Sequence, residues 1–198
     1  MTLLRFALAP VFTLALAVPA LAEKIPLGEL SSYLNGLKTA EASFTQVNAD
    51  GSVSTGKMYL QRPGRVRFEY DKDKTLVMAS GGQVAIFDPK SNMGPEQYPL
   101  SKTPLNLILA ETVDLARAKM VVGHTADDKT TSVTAQDPEH PDYGTIKLVF
   151  TAKPTELRQW VITDDSGGQT TVILGEMKKG VTIAPSLFSI VNETNKRK

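Results

Sequence analysis

From Ile25 to Leu37 the apolar side chains fall three and four positions apart, at Leu27, Leu30, Leu34 and Leu37, with Tyr33 beside them. That spacing predicts one face of an amphipathic helix, and Pro26 suits its first turn. Beyond Gly36 the period drops to two. Residues 64–70 alternate most cleanly, with Val66, Phe68 and Tyr70 on one side and Arg65, Arg67 and Glu69 on the other, as a strand with one apolar face requires. Further strands are predicted at 41–49, 54–62, 75–80, 83–88, 119–126, 129–136, 144–152, 155–163, 169–177 and 186–191. Turn signals part them at Asp50-Gly51, Asp71 to Asp73, Gly81-Gly82, Asp127-Asp128 and Asp165 to Gly168. About eleven short strands joined mostly by tight turns predict a mainly β fold with few helices. The strands would form one antiparallel sheet, strongly curled toward an incomplete barrel.

One stretch breaks the rhythm. Residues 88–103 read as a loop, with Pro89, Gly94, Pro95 and Pro99 among polar neighbours. Thr103 as a cap and Pro104 in a first turn then open a short helix through Leu105, Leu107, Ile108, Leu109 and Ala110. It is apolar on nearly every side, Asn106 excepted, so it must lie under or inside something. Either it fills the core of a closed domain or it plugs a concave cavity, with a lid segment spanning about 88–118; the period alone favours neither.

Residues 1–22 hold one charge, Arg5, then an apolar run that ends at Ala20-Leu21-Ala22. This is the pattern of a secretory signal cleaved after Ala22, leaving 23–198 as a single exported domain. The chain contains no cysteine and two histidines, His124 and His140. Disulfides, thiolate metal sites and cysteine nucleophiles are therefore excluded, and a hydrolase triad or zinc site has little to be built from. The 22 basic and 21 acidic side chains nearly balance, which argues against nucleic acid as a partner. Asp127-Asp128 and Asp164-Asp165 fall where hairpin turns are expected, and the Pro-bracketed stretch Asp137 to Asp142 reads as a rigid surface loop. No phosphate loop, dinucleotide fingerprint or nucleophile elbow is present, so no catalytic residue, cofactor or metal is assigned.

Several blocks carry a resemblance when taken together. They are Ala42-Ser43-Phe44-Thr45-Gln46, then Met58-Tyr59-Leu60-Gln61-Arg62-Pro63 running into Val66-Arg67-Phe68-Glu69-Tyr70, then Leu76 to Pro89 with its Gly-Gly turn, then Thr103-Pro104-Leu105. Their order and spacing resemble the periplasmic outer-membrane lipoprotein carrier family, LolA, over nearly the whole exported chain. The resemblance implies an incomplete barrel whose mouth is closed by short lid helices. It implies a periplasmic chaperone that shields the acyl chains of lipoproteins. Such a carrier takes them from an inner-membrane lipoprotein-releasing ABC transporter and hands them to an outer-membrane acceptor. A monomer is expected. It also implies that Arg62 lies in the apolar cavity and locks the lid through backbone carbonyls.

If Arg62 faces the cavity, the strand period puts Leu60 and Met58 there too. Val66, Phe68 and Tyr70 follow on the next strand, and Leu76, Met78, Ile86, Leu148, Phe150, Trp160 and Ile162 complete the expected lining. The lid residues are Pro104, Leu105, Leu107, Ile108 and Leu109. Met58, Met78, Met93, Met120 and Met177 could serve either as adaptable lining or as plain core. Arg65 and Arg67, on the other face, are candidates for steering a partner. Two other readings stand beside the lipoprotein carrier: a carrier of another lipid, and a lipoprotein-sensing regulatory module.

Overall fold

The computed structural model describes residues 24–117 and 119–197, so the predicted signal segment lies outside the described residues. The first helix, α1, runs Leu27–Gly36 with Leu30, Ser31 and Leu34 buried. Pro26 occupies its N-cap in extended backbone rather than its first turn, and Glu29 in that turn complements the positive end of the helix dipole. Twelve strands follow: β1 (Thr39–Val47), β2 (Val53–Gln61), β3 (Arg65–Tyr70), β4 (Leu76–Ser80), β5 (Gln83–Phe87), β6 (Glu96–Pro99), β7 (Val121–Ala126), β8 (Thr130–Gln136), β9 (Thr145–Thr151), β10 (Glu156–Thr163), β11 (Gln169–Leu174) and the short β12 (Lys178–Lys179). Between β6 and β7 lies α2 (Leu105–Leu109), and the chain closes with α3 (Ile190–Lys196).

All strands join one antiparallel sheet in the order β6-β5-β4-β3-β2-β1-β11-β10-β9-β8-β7. The end strands β6 and β7 do not pair with each other, so the sheet is open and curled, not a closed barrel. Tight hairpins explain most of the order, since neighbours in sequence are neighbours in the sheet. The exception is the β1–β11 pairing, which joins the first half of the sheet to the second. Only one side of β1 is involved, and β12 continues along that side where β11 stops. The switch falls at Gly175, whose N–H bonds Ser43 O at 2.9 Å. A Cβ there would strike the Ser43 hydroxyl. The strand expected over 169–177 therefore ends at Leu174, where the partner of β1 changes from β11 to β12.

Three other expectations are corrected. Glu96–Pro99, read as loop, pairs with β5 as an edge strand, where Pro99 and the short length are tolerated. Residues 186–191, read as a strand, instead form a 3₁₀ turn over Pro185–Phe188 and the start of α3. The Ser189 hydroxyl caps α3 by accepting the Asn192 N–H at 3.2 Å, so the alternation of Phe188 and Ile190 was accidental. Thr103 does not cap α2; its hydroxyl donates back to Leu100 O at 2.8 Å.

The core lies in two layers. Its main body fills the concave face of the sheet, roofed by α1, α2 and the segment that carries Val113 and Leu115. A smaller cluster lies on the convex face, where Phe188 packs among Leu76, Met78, Ala85 and Phe87. Arg67 sits on this side as well, buried beneath the C-terminal segment. It donates to Glu69 at 2.7 Å, to Leu187 O at 3.0 Å and to Glu193 at 3.2 Å. Arg67 is thus a clamp for the chain end and not a free steering charge. No helix among the described residues is long and apolar enough to cross a membrane.

Candidate functional site: a hollow under a short lid

Strands β3 and β10 stand four steps apart in the sheet, which in a flat sheet would separate them by about 19 Å. Yet the rings of Phe68 on β3 and Trp160 on β10 meet edge to face with centroids 6.1 Å apart. The curl of the sheet thus brings the apolar sides of distant strands to face one another across a hollow. Its outer part is open and has a volume of about 600 Å³. The apolar walls there are Phe68, Tyr70, Val77, Val84, Trp160, Ile162 and Val172, with Pro104 and Leu105 on the lid side. Lys102, Asp142, Asp164 and Asp165 make the rim polar.

Behind it lies a second compartment bounded by Met58, Leu60, Arg62, Val66, Ile108, Leu109, Leu34 of α1 and Leu37 just past its end. Phe68, Leu105 and Trp160 border both spaces, so the two are neighbours at the first turn of α2. The inner space has only about 30 Å³ left, room for a water molecule or two. What fills it is α2 itself, with Ile108 and Leu109 buried. The α2 helix thus occupies the inner part of the apolar trough.

Arg62 ends the floor of that trough. The side chain is only 7% exposed, and its guanidinium reaches the ends of both helices. One terminal nitrogen donates to Leu34 O in the last turn of α1. The other donates to Ala110 O, just past α2, at 2.6 Å. Carbonyls at helix C-termini lack partners within the helix, so they are natural acceptors for a desolvated cation. Nε finds no acceptor, and burial draws the guanidinium's pKa below its ordinary value. The neighbouring Gly64 N–H adds a bond to Leu109 O at 2.9 Å. The β2–β3 turn thereby holds the C-terminal end of the lid by two bonds.

The wall beside the lid is set by aromatic packing. Phe44 meets Phe68 at 5.4 Å and Tyr70 at 5.1 Å, both edge to face. The Tyr70 hydroxyl donates to Gln46 Oε1 at 2.7 Å, which satisfies its one polar group inside the hollow. The alternation that predicts Val66, Phe68 and Tyr70 as one face thus places all three on the trough. Met58, Leu60, Trp160 and Ile162 join them. Ile86 pairs opposite Val77 and so belongs to the same concave face.

Other expected lining residues lie elsewhere. Leu76 and Met78 are on the convex face, under Phe188. Strand β4 is apolar on both faces because both are covered, so its period could not tell inside from outside. Leu148 and Phe150 face the concave side but are roofed by α1, where Tyr33 meets Phe150 edge to face at 5.8 Å; they border neither compartment. Leu107 is half-buried and packs against the core without lining the trough. The expected lid segment, 88–118, is too wide at both ends. Residues 96–99 are pinned in the sheet, and Val113 is bonded to α1. Gln46, Val77, Val84 and Val172 were missed, although the alternation in β5 and β11 carried the signal for Val84 and Val172.

Residues 35–191 match the family model described as outer membrane lipoprotein carrier protein LolA. The chain belongs to the LolA family. An outer-membrane lipoprotein carrier protein of Methylococcus capsulatus is 28% identical over 204 aligned positions, covering 90% of this chain and 93% of the relative. Another, from Methylobacillus flagellatus, is 26% identical over 197, covering 95% of each chain. A crystal structure of a LolA superfamily protein from Nitrosomonas europaea covers 83% of this chain and 98% of that one, at 8% identity and a TM-score of 0.43. LolA-family proteins are periplasmic lipoprotein carriers, which bind and transport and do not catalyse.

Proposed function

We propose that this chain takes acylated lipoproteins from an inner-membrane lipoprotein-releasing ABC transporter, shields their acyl chains in the trough, and delivers them to an outer-membrane acceptor. The observation that supports this most is an open apolar hollow of about 600 Å³ lying beside an inner apolar compartment that α2 fills. Each methylene exposed to water costs about 0.8 kcal/mol, so a chain of about fifteen methylenes costs roughly 12 kcal/mol to bring through water unprotected. A dry groove removes that cost. Cargo with two or three such chains needs the inner compartment as well, and α2 must leave to make room.

Release then needs a competitor for the trough, and α2 is one. Its return restores the bond from Arg62 to Ala110 O and reburies Ile108 and Leu109. Both gains oppose the cargo and favour unloading to a stronger acceptor. Arg62→Leu is expected to keep lipoprotein binding while transfer to the acceptor falls at least about ten-fold. A reconstituted transfer assay reads this, and unchanged transfer would overturn the role given to Arg62. Mass spectrometry of material co-purified from the periplasm is expected to find triacylated lipoproteins. Free phospholipid alone would replace this reading with a carrier of another lipid.

A further inference from the structure

On its C-terminal side α2 runs into residues 110–115, and α1 grips this stretch by side chains. Asn35 meets the backbone of Val113 with both halves of its amide. Nδ2 donates to Val113 O at 2.8 Å, and Oδ1 accepts the Val113 N–H at 2.9 Å. One turn earlier on the same face, Ser31 Oγ accepts the Leu115 N–H at 2.9 Å while donating to Leu27 O at 2.7 Å. Val113 and Leu115 are buried, whereas Glu111 and Thr112 are exposed. At the other end of the lid, Leu100 is buried and its N–H bonds Gly82 O at 2.9 Å. The piece able to move is thus bounded by two fixed points, Leu100 and Val113.

We propose that Asn35 is a positioning residue for lid closure: its amide fixes Val113 as the pivot about which α2 swings and returns to Arg62. The proposal rests on α2 being a lid that leaves and comes back. With Val113 held, three residues link the pivot to Ala110, a reach of about 10 Å. Were it free, the next tie would be Leu115, and the reach would grow to about 17 Å. The local concentration of a tethered group falls with roughly the 3/2 power of tether length, so length alone would lower the return of Ala110 about two-fold. The two-bond grip also sets direction, since a residue held through both N–H and C=O cannot rotate about its own chain axis.

Hydrogen–deuterium exchange on the full chain tests this without any cargo. In Asn35→Ala the Val113 amide is expected to exchange at least about ten-fold faster than in the wild type and the amides of α2 at least about two-fold faster, with β8, β9 and β10 unchanged. Asn35→Asp keeps the acceptor for the Val113 N–H and loses the donor, so an intermediate value is expected. In the transfer assay Asn35→Ala is expected to be slowed, and Arg62→Leu combined with it to be no slower than Arg62→Leu alone, because both act on one closure. Unchanged exchange in α2 would overturn the pivot, as would a rise spread evenly over the sheet or losses of transfer that simply multiply. If the wild type carries no acylated lipoprotein, the functional reading falls, while the exchange comparison still decides the pivot.

Discussion

Gly56 shows how much of the trough depends on a single missing methyl group. It lies in β2 beneath the Phe44 ring, and a Cβ there would strike both that ring and the Glu69 carbonyl. Neither can retreat, since the carbonyl belongs to β3 and the ring is wedged against Phe68 and Tyr70. Gly56→Ala is expected to destabilise the protein by about 1–3 kcal/mol, read as a lowered Tm with a weakened aromatic circular-dichroism signal. Tyr70 offers a second test. Burial, opposed in part by the hydrogen bond to Gln46, pushes its phenol up to about 12. A phenol raised in the folded state contributes stability that is whole below its unfolded value of about 10 and is lost as pH climbs toward the folded one. Tyr70→Phe should flatten that alkaline loss in unfolding curves taken between pH 9 and 12 (about the range of the two values).

Among the elements, α3 and the turn before it are held on the convex face by charge as much as by Phe188. Glu193 accepts from Arg67 at 3.2 Å and from Arg197 at 3.0 Å, and the Arg197 guanidinium lies 5.2 Å from the centre of the Phe87 ring. Burial alone would raise the Glu193 carboxyl. The hydrogen bonds and charges of Arg197 and Arg67 outweigh it and hold the pKa below its ordinary value. A depressed carboxyl contributes above its unfolded pKa, about 4.3, and that contribution is lost as pH falls through the lower folded value. The clamp should therefore loosen in acid, and Glu193→Gln should loosen it at neutral pH by about 1–2 kcal/mol. Faster exchange of the amides in α3 is the measurement. The same clamp explains why the inner face of β4 was misread at Leu76 and Met78, and why Arg67, on the outer face as expected, is buried. An amphipathic strand announces its inner face only when the outer face meets water, and here the chain end covers it.

Across the molecule, the lid competes with whatever enters the trough, so weakening its apolar side should favour the open form. Ile108→Ala and Leu109→Ala each remove a buried side chain from the plugged state, a loss of about 2–5 kcal/mol. Each is expected to lower the melting temperature of the empty protein and to slow delivery while cargo capture is kept. Comparing melting and transfer in the same variants checks this. The polar–apolar alternation by itself determined that this chain makes a many-stranded antiparallel sheet with one short apolar helix, because a two-residue period is a local property of the backbone. It determined as well that Val66, Phe68 and Tyr70 share a face. Only the tertiary structure decided which face of β4 lines the trough, that Arg62 bridges the ends of two helices, and that Asn35 meets Val113 from 78 residues away. Those pairings depend on the curl that brings distant strands and helices together, and no short-range pattern of side chains encodes a curl.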